Sequence, residues 1–219
     1  MTKWSVIFLS IITLIAAIIG CIFRFSYTDI TADGEPMLSM SVAMWLDEIN
    51  PDHMNFLEEQ LPDSSYILRV QGTGEIEYKF HQNLQHVKVI AVYKGADLKP
   101  NADIYITIGS DYFILDEMQA NCGFVNHCQV GREYLVFLNE RILTPQREPY
   151  PVFAFEGYII EPMFCYDDIE NTVIPVNIDH IIAPYAKVKA NEFFVGDQAS
   201  LEHWLELKDH LLSLYPKDN

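Results

Sequence analysis

A mainly β domain held behind one N-terminal transmembrane helix is the fold class the sequence predicts, and three observations predict it. Residues Trp4 to Phe23 form an unbroken apolar run. From Ser65 onward, short apolar runs recur at the period of strands rather than of helices. Aromatic residues make up 13% of the chain and Val and Ile concentrate in those runs, a composition that favours sheet.

The N-terminal run, WSVIFLSIITLIAAIIGCIF, is interrupted only by Ser5, Ser10 and Thr13, whose hydroxyls can bond back to helix carbonyls. A helix of that length rises about 30 Å, the thickness of a bilayer's hydrocarbon core. The sequence contains no second run of this kind, so the bilayer is the partner expected through Trp4 to Phe23. Lys3 and the α-amino group precede the span, and Asp29, Asp33, Glu35, Asp47 and Glu48 follow Arg24 before the next base, Arg69. The positive-inside bias then places the N-terminus in the cytoplasm and the C-terminal domain outside it, at the cell membrane.

Two other readings of the N-terminus compete with an uncleaved anchor. Ile18-Ile19-Gly20-Cys21 fits a short lipobox, which would put a lipid on Cys21. The apolar stretch before Cys21 exceeds a usual signal-peptide core, however, and Ile22, Phe23 and Phe25 continue it past the cut, as they do past a secretory cleavage site. Without Lys3 and Arg24, 12 bases face 31 acids, so the exported part carries a net charge of −19. Phosphate affinity needs clustered Lys and Arg, which excludes nucleic acid as a partner and disfavours anionic headgroups.

The chain divides into a stub and anchor over residues 1–25, a juxtamembrane linker over 26–40 and an extracytoplasmic domain over 41–219. Val42, Trp45, Leu46 and Ile49 recur at the spacing of one helix face, which predicts a helical lead-in over 41–62. Asn50-Pro51 breaks it and starts a second helix, with Asn50 as N-cap, Pro51 at the first helical position and Met54, Leu57 and Leu61 apolar. Strands are predicted at Tyr66 to Val70, Ile76 to Phe80, His86 to Tyr93, Ile104 to Ile108 and Tyr134 to Leu138. The last is apolar throughout and should be buried on both faces. Later strands are predicted at Val152 to Phe155, Tyr158 to Ile160 and Val173 to Ile178. Short antiparallel strands in this order suit a small closed barrel over 65–180 better than a sheet with exposed edges. An amphipathic helix over 197–215 ends the chain, capped by Asp197 or Ser200 and apolar at Leu201, Trp204, Leu205, Leu211, Leu212 and Tyr215.

The segments VKVIAVYKGADLKPNADIYITI (Val87 to Ile108) and NCGFVNHCQVGREYLVFL (Asn121 to Leu138) resemble the netrin-module and tissue-inhibitor-of-metalloproteinases superfamily, particularly its bacterial members. The shared features are a strand ending in Tyr-Lys-Gly before a paired strand, and a Cys-Gly element before a Gly-x-x-Tyr-Leu strand. The resemblance covers Tyr66 to Leu138 and implies an OB-fold-like barrel of five strands in Greek-key order. Inhibition of metalloproteinases does not transfer, because no cysteine opens the barrel to chelate a protease zinc.

Of four cysteines, Cys21 lies in the span, leaving Cys122, Cys128 and Cys165. Cys122 and Cys128 are the expected disulfide if the domain is exported, since the connection between them contains Gly123 and can close on itself. Cys122, His127 and Cys128 lack the ligand spacing of a zinc site. His81 and His86 flank a turn and can meet Glu75 or Glu77 as acid/base pairs, although exposed strand positions explain them as well. Asp167, Asp168, Glu170 and Asn171 lack the glycine and terminal Glu of an EF-hand loop and read as a solvated acidic loop. The aromatic set Tyr150, Phe153, Phe155, Tyr158, Phe164 and Tyr166 reads as core before it reads as a groove. No nucleophile-elbow, zincin, P-loop or dinucleotide motif occurs, so no metal, cofactor or catalysis is expected. The functional class expected is a membrane-anchored module that binds a protein or ligand in the cell envelope. The alternatives are an accessory or structural subunit of a membrane complex and an envelope enzyme with a non-standard site.

Overall fold

The computed structural model describes residues 3–26, 36–49, 52–78, 83–109, 112–114, 118–143, 150–155 and 157–217. The chain falls into two compact units, residues 1–36 and 37–219. The first holds helix α1, Lys3–Ser26. Its window Ile7–Arg24 has a mean hydropathy of 2.5 and all its side chains are exposed, so this helix is long and apolar enough to cross a membrane. Thr13 Oγ1 donates to Leu9 O at 3.0 Å, the back-bond that lets a hydroxyl sit in an apolar helix.

The second unit mixes helix and sheet. Its strands are β1 (Ser41–Ala43), β2 (Tyr66–Glu77), β3 (Asn83–Lys94), β4 (Asp103–Ile108), β5 (Tyr112–Ile114), β6 (Met118–Ala120), β7 (Glu133–Leu138), β8 (Glu140–Ile142), β9 (Val152–Ala154), β10 (Met163–Cys165) and β11 (Ile182–Pro184). Its α-helices are α2 (His53–Gln60), α3 (Tyr185–Val188) and α4 (Gln198–Leu214). Helix and strand contribute comparable shares of the structure, 30% and 34%, so the class is mixed rather than mainly β.

The expected closed five-stranded barrel is not formed. Among the described residues there are two open sheets, one in the order β11-β1-β6-β5 and one in the order β10-β7-β2-β3-β4-β9-β8. The physical reason lies at β7. Its two edges are taken by β2 and by β10, with Leu135 opposite both Arg69 and Phe164, so no edge remains to close on β8 or β9. The larger sheet is nevertheless strongly coiled. β7 lies one strand from one border and β8 forms the other, yet only Asn139 separates them, and a single residue spans less than about 4 Å. Asn139 secures this corner by donating its N–H to Ala154 O at 3.1 Å and accepting from Ser65 N on its side chain at 3.2 Å.

Three local expectations also change. The predicted helical lead-in begins instead as β1, which pairs antiparallel with β11 and parallel with β6. Met40, Val42 and Met44 are buried in alternation with the half-buried Ser41 and Ala43, the period of a strand, and Trp45 and Leu46 follow them into the core. Met44 N and Trp45 N donate across to Ile181 O and Phe194 O, each at 2.7 Å, taking the bonds a helix would need internally. The second helix is present as α2 with Leu57 buried, while the proposed cap Asn50 and Pro51 lie outside the described residues. The strands predicted at Tyr66 and Ile76 are one strand, β2, with a register shift between Gly72 and Ile76, and Phe80 lies outside the described residues. Tyr158 to Ile160 and Val173 to Ile178 form no strand, and Asn177 makes only an isolated bridge to His180.

The last helix forms where the sequence predicts, but of its predicted apolar face Leu205, Leu212 and Tyr215 are only half-buried while Leu207 joins the core. Asp197 caps α4, accepting from Ser200 N at 2.8 Å, and Leu201, Trp204, Leu207 and Leu211 are buried in the main core. Trp204 meets Trp45 edge-on at 5.5 Å and lies on Phe193 at 4.7 Å, so the helix is packed beside the segment that leads from β1 into α2. β7 runs through the middle of the same core with Tyr134 to Leu138 all at or below 2% exposure, buried on both faces as expected.

Candidate functional site

The loop after β4, the Cys-Gly loop and the segment before β10 converge on one carboxylate. Glu161 Oε1 accepts from Gly109 N, and Glu161 N donates to Gly123 O at 3.2 Å. This approach depends on glycine. Gly123 has φ +53°, and a Cβ there would fall 2.5 Å from Glu161 N. Gly109 has φ +51° and its carbonyl accepts from both the backbone N and the Nδ2 of Asn83 at 3.3 Å. Asn121 completes the turn, its Oδ1 accepting from Gly123 N at 3.1 Å.

Two cavities meet at this carboxylate and share Ile108, Gly109, Asn121 and Glu161. The larger is an open cleft of about 270 Å³ whose wall combines Thr107, Glu140 and Tyr158 with Ile142, Phe155, Ile159 and Ile160. The smaller, about 10 Å³, has room for one water and is lined by Cys122, His127, Tyr78 and Met37 among others. Among the described residues, neither wall contains Lys or Arg. Burial, opposed by the Gly109 hydrogen bond, pushes the Glu161 carboxyl up to about 8, so it is largely protonated at neutral pH. Burial and the neighbouring Glu161 also raise the Cys122 thiol well above its ordinary value. That is opposite to the activation a nucleophilic cysteine needs.

The sequence-predicted residues distribute as follows. Cys122 and Cys128 are both free thiols in this structure, not the expected disulfide. Cys122 lines the small cavity beside Glu161, whereas Cys128 Sγ lies 3.8 Å from Met163 Sδ in the core, and the Gln85 amide holds the Cys128 backbone at both its N–H and its carbonyl. Cys21 is an exposed thiol on α1. His86 does meet an acid, with Nδ1 3.2 Å from Glu75 and Nε2 3.2 Å from Asp103, and its ring stacks on Tyr105 at 5.1 Å; His81 lies outside the described residues. Tyr105 OH donates to Glu75, and burial followed by the Glu75 charge raises its pKa to about 12.

The acidic loop at Asp167 is structural. Asn171 Oδ1 accepts from Glu192 N and Phe193 N, and Asp167 O accepts from Lys208 Nζ at 3.1 Å. No group of three or more His, Cys, Asp or Glu among the described residues is arranged to hold a metal. The aromatic set splits: Phe153 and Phe164 are wholly buried, Phe155 and Tyr158 line the cleft, and Tyr150 is exposed.

Sequence reasoning missed Glu161. Its signal is a single acid set between Tyr158-Ile159-Ile160 and Pro162, a charge that an apolar run carries into the interior. Lys208 and Glu192 were also missed, a buried pair at 2.6 Å that bolts α4 to β10 through Glu192 Oε1 and Cys165 N. Burial pushes the Glu192 carboxyl up against the pull of Lys208. The pair satisfies its own hydrogen bonds and lines neither of the two cavities at Glu161. No protein-family model matches the chain, and neither does any curated protein.

Proposed function

We propose that this protein is an uncleaved, membrane-anchored binding module of the cell envelope, with its N-terminus in the cytoplasm, its domain outside, and the Glu161 cleft as its ligand site. The observation that carries the reading is the cleft itself. A half-buried carboxyl that no Lys or Arg among the described lining residues accompanies costs free energy unless something compensates, and here it borders an open space of about 270 Å³ walled by polar and apolar groups alike. That volume is at the small end of ligand pockets, which suits a small molecule or one side chain of a partner. The membrane address rests on α1 and the outward orientation on the charge asymmetry about it. The likeness to the netrin module is part of the proposal, and its supporting features are β3, the Lys94-Gly95 turn and β4, and the Cys-Gly loop leading into β7. Binding is favoured over catalysis because the thiol beside Glu161 is raised rather than activated.

A fragment library titrated into the isotopically labelled full chain in detergent tests the site. Shifts are expected to cluster at the amides of Gly109, Asn121, Gly123 and Glu161, and Ile142→Trp, which fills the cleft, should remove them. Shifts centred elsewhere, or surviving in Ile142→Trp, would overturn the assignment. A reporter active only outside the cytoplasm, fused after Asn219, should be active; activity of a cytoplasm-only reporter would reverse the orientation.

A further inference from the structure

Resting on that reading of the cleft, we infer that its ligand presents a primary ammonium on a short apolar chain, and that the ammonium pairs with Glu161. The wall supplies the complement of such a ligand and of few others. It holds two carboxyls, Glu161 inside and the exposed Glu140, and no Lys or Arg among the described lining residues, so among those residues an anionic ligand would find no basic partner. Ile142, Phe155, Ile159 and Ile160 offer apolar surface to the rest of the molecule. The size of the space limits that chain to a few carbons. The domain's strong negative charge also raises the local concentration of cations and speeds their arrival.

The groups around Glu161 fix what happens to its proton. Gly109 N binds Oε1, Tyr78, Cys122 and His127 line the small cavity with it, and Glu140, Tyr158 and Thr107 line the cleft with it. No Lys or Arg stands among these described residues. Without ligand the carboxyl therefore keeps its proton up to about pH 8. An arriving ammonium favours the carboxylate, so the proton leaves the Oε2 oxygen for solvent as the ion pair forms. Binding is thus coupled to release of up to one proton per ligand below pH 8. Apparent affinity rises with pH through the neutral range and levels off above about 8, where Glu161 is already ionised.

n-Butylammonium and n-butanol, which match in chain length and differ in charge, test this on the full chain in detergent. By nuclear magnetic resonance both should shift the Gly109 and Gly123 amides, the ammonium with higher affinity. Glu161→Gln keeps an acceptor for Gly109 N, and should weaken n-butylammonium at least about tenfold while leaving n-butanol within about twofold. Calorimetry at pH 7 in phosphate and in Tris should give binding heats that differ by the buffers' ionisation enthalpies, and this difference should vanish in Glu161→Gln. Binding of n-butanol but not the ammonium would overturn the inference and leave the cleft standing as an apolar site. Ammonium binding that is indifferent to Glu161→Gln would assign it to the acidic surface and overturn the inference too. Failure of both probes to reach these amides would overturn the inference and the cleft together.

Discussion

At the scale of single residues, the buried Glu192 and the half-buried Glu161 are handled in opposite ways. The Glu192 carboxylate is held by Lys208 and by Cys165 N, Lys208 also donates to Asp167 O, and removing one partner of such a pair strands the other. Glu161 has a backbone N–H and two cavities, and keeps a proton instead. That difference has a consequence for stability. The folded pKa of Glu161, about 8, lies above the ordinary carboxyl value of 4.5, so between these limits the folded state binds the proton that the unfolded state has lost. Stability contributed by this group is therefore complete below about pH 4.5 and is lost progressively as pH rises to about 8. Glu161→Gln, which never ionises, should flatten that decline. Urea titrations at pH 5 and pH 8 should show a smaller difference in the variant than in the parent, and an unchanged difference would place the Glu161 pKa near its ordinary value.

At the scale of elements, β7 is the strand on which the larger sheet depends. It pairs with β2 over six registered positions and with β10 over three, and every side chain from Tyr134 to Leu138 is buried. Leu135→Ala should destabilise the domain by about 2 to 5 kcal/mol, and Val136→Ala should also destabilise it measurably. Asp209→Ala, on the exposed side of α4, should change stability by less than about 0.5 kcal/mol. Denaturant midpoints of the three variants decide this, and a neutral Leu135→Ala would remove β7 from the core. The same strand explains why the sequence suggests a closed barrel that the fold does not form. An apolar run such as YLVFL announces burial on both faces, but not which strands take its two edges. The second neighbour, β10, is a three-residue strand in a Pro-flanked segment with no alternation to advertise it.

At the scale of the whole molecule, the domain over 37–219 has its own core, reaching from Trp45 through the larger sheet to Trp204 and Leu211. Deleting residues 1–36 should leave a protein that is soluble without detergent, unfolds cooperatively and keeps the near-ultraviolet circular dichroism of its packed Trp45 and Trp204. A truncated chain that precipitates, or that loses the tryptophan signal, would mean that α1 is required for the fold and is more than an apolar attachment.

The sequence by itself determined the features governed by neighbours along the chain. The length and hydropathy of α1 follow from local composition, the cap and apolar face of α4 from spacing, and β3, β4 and β7 from runs long enough to specify their own conformation. It also brought His86 and Glu75 together on facing strands. Only the tertiary structure decided that Val42, Trp45 and Leu46 belong to and beside a strand, because their helical spacing is overridden by carbonyls of Ile181 and Phe194 far along the chain. Only the tertiary structure decided that the larger sheet coils without closing, since that depends on β10 occupying the last edge of β7. The Glu161 cleft is of the same kind. Gly109, Asn121, Gly123 and Glu161 come from three separate segments, and no local pattern encodes their meeting, because the close approach that makes the site is between backbones distant in sequence.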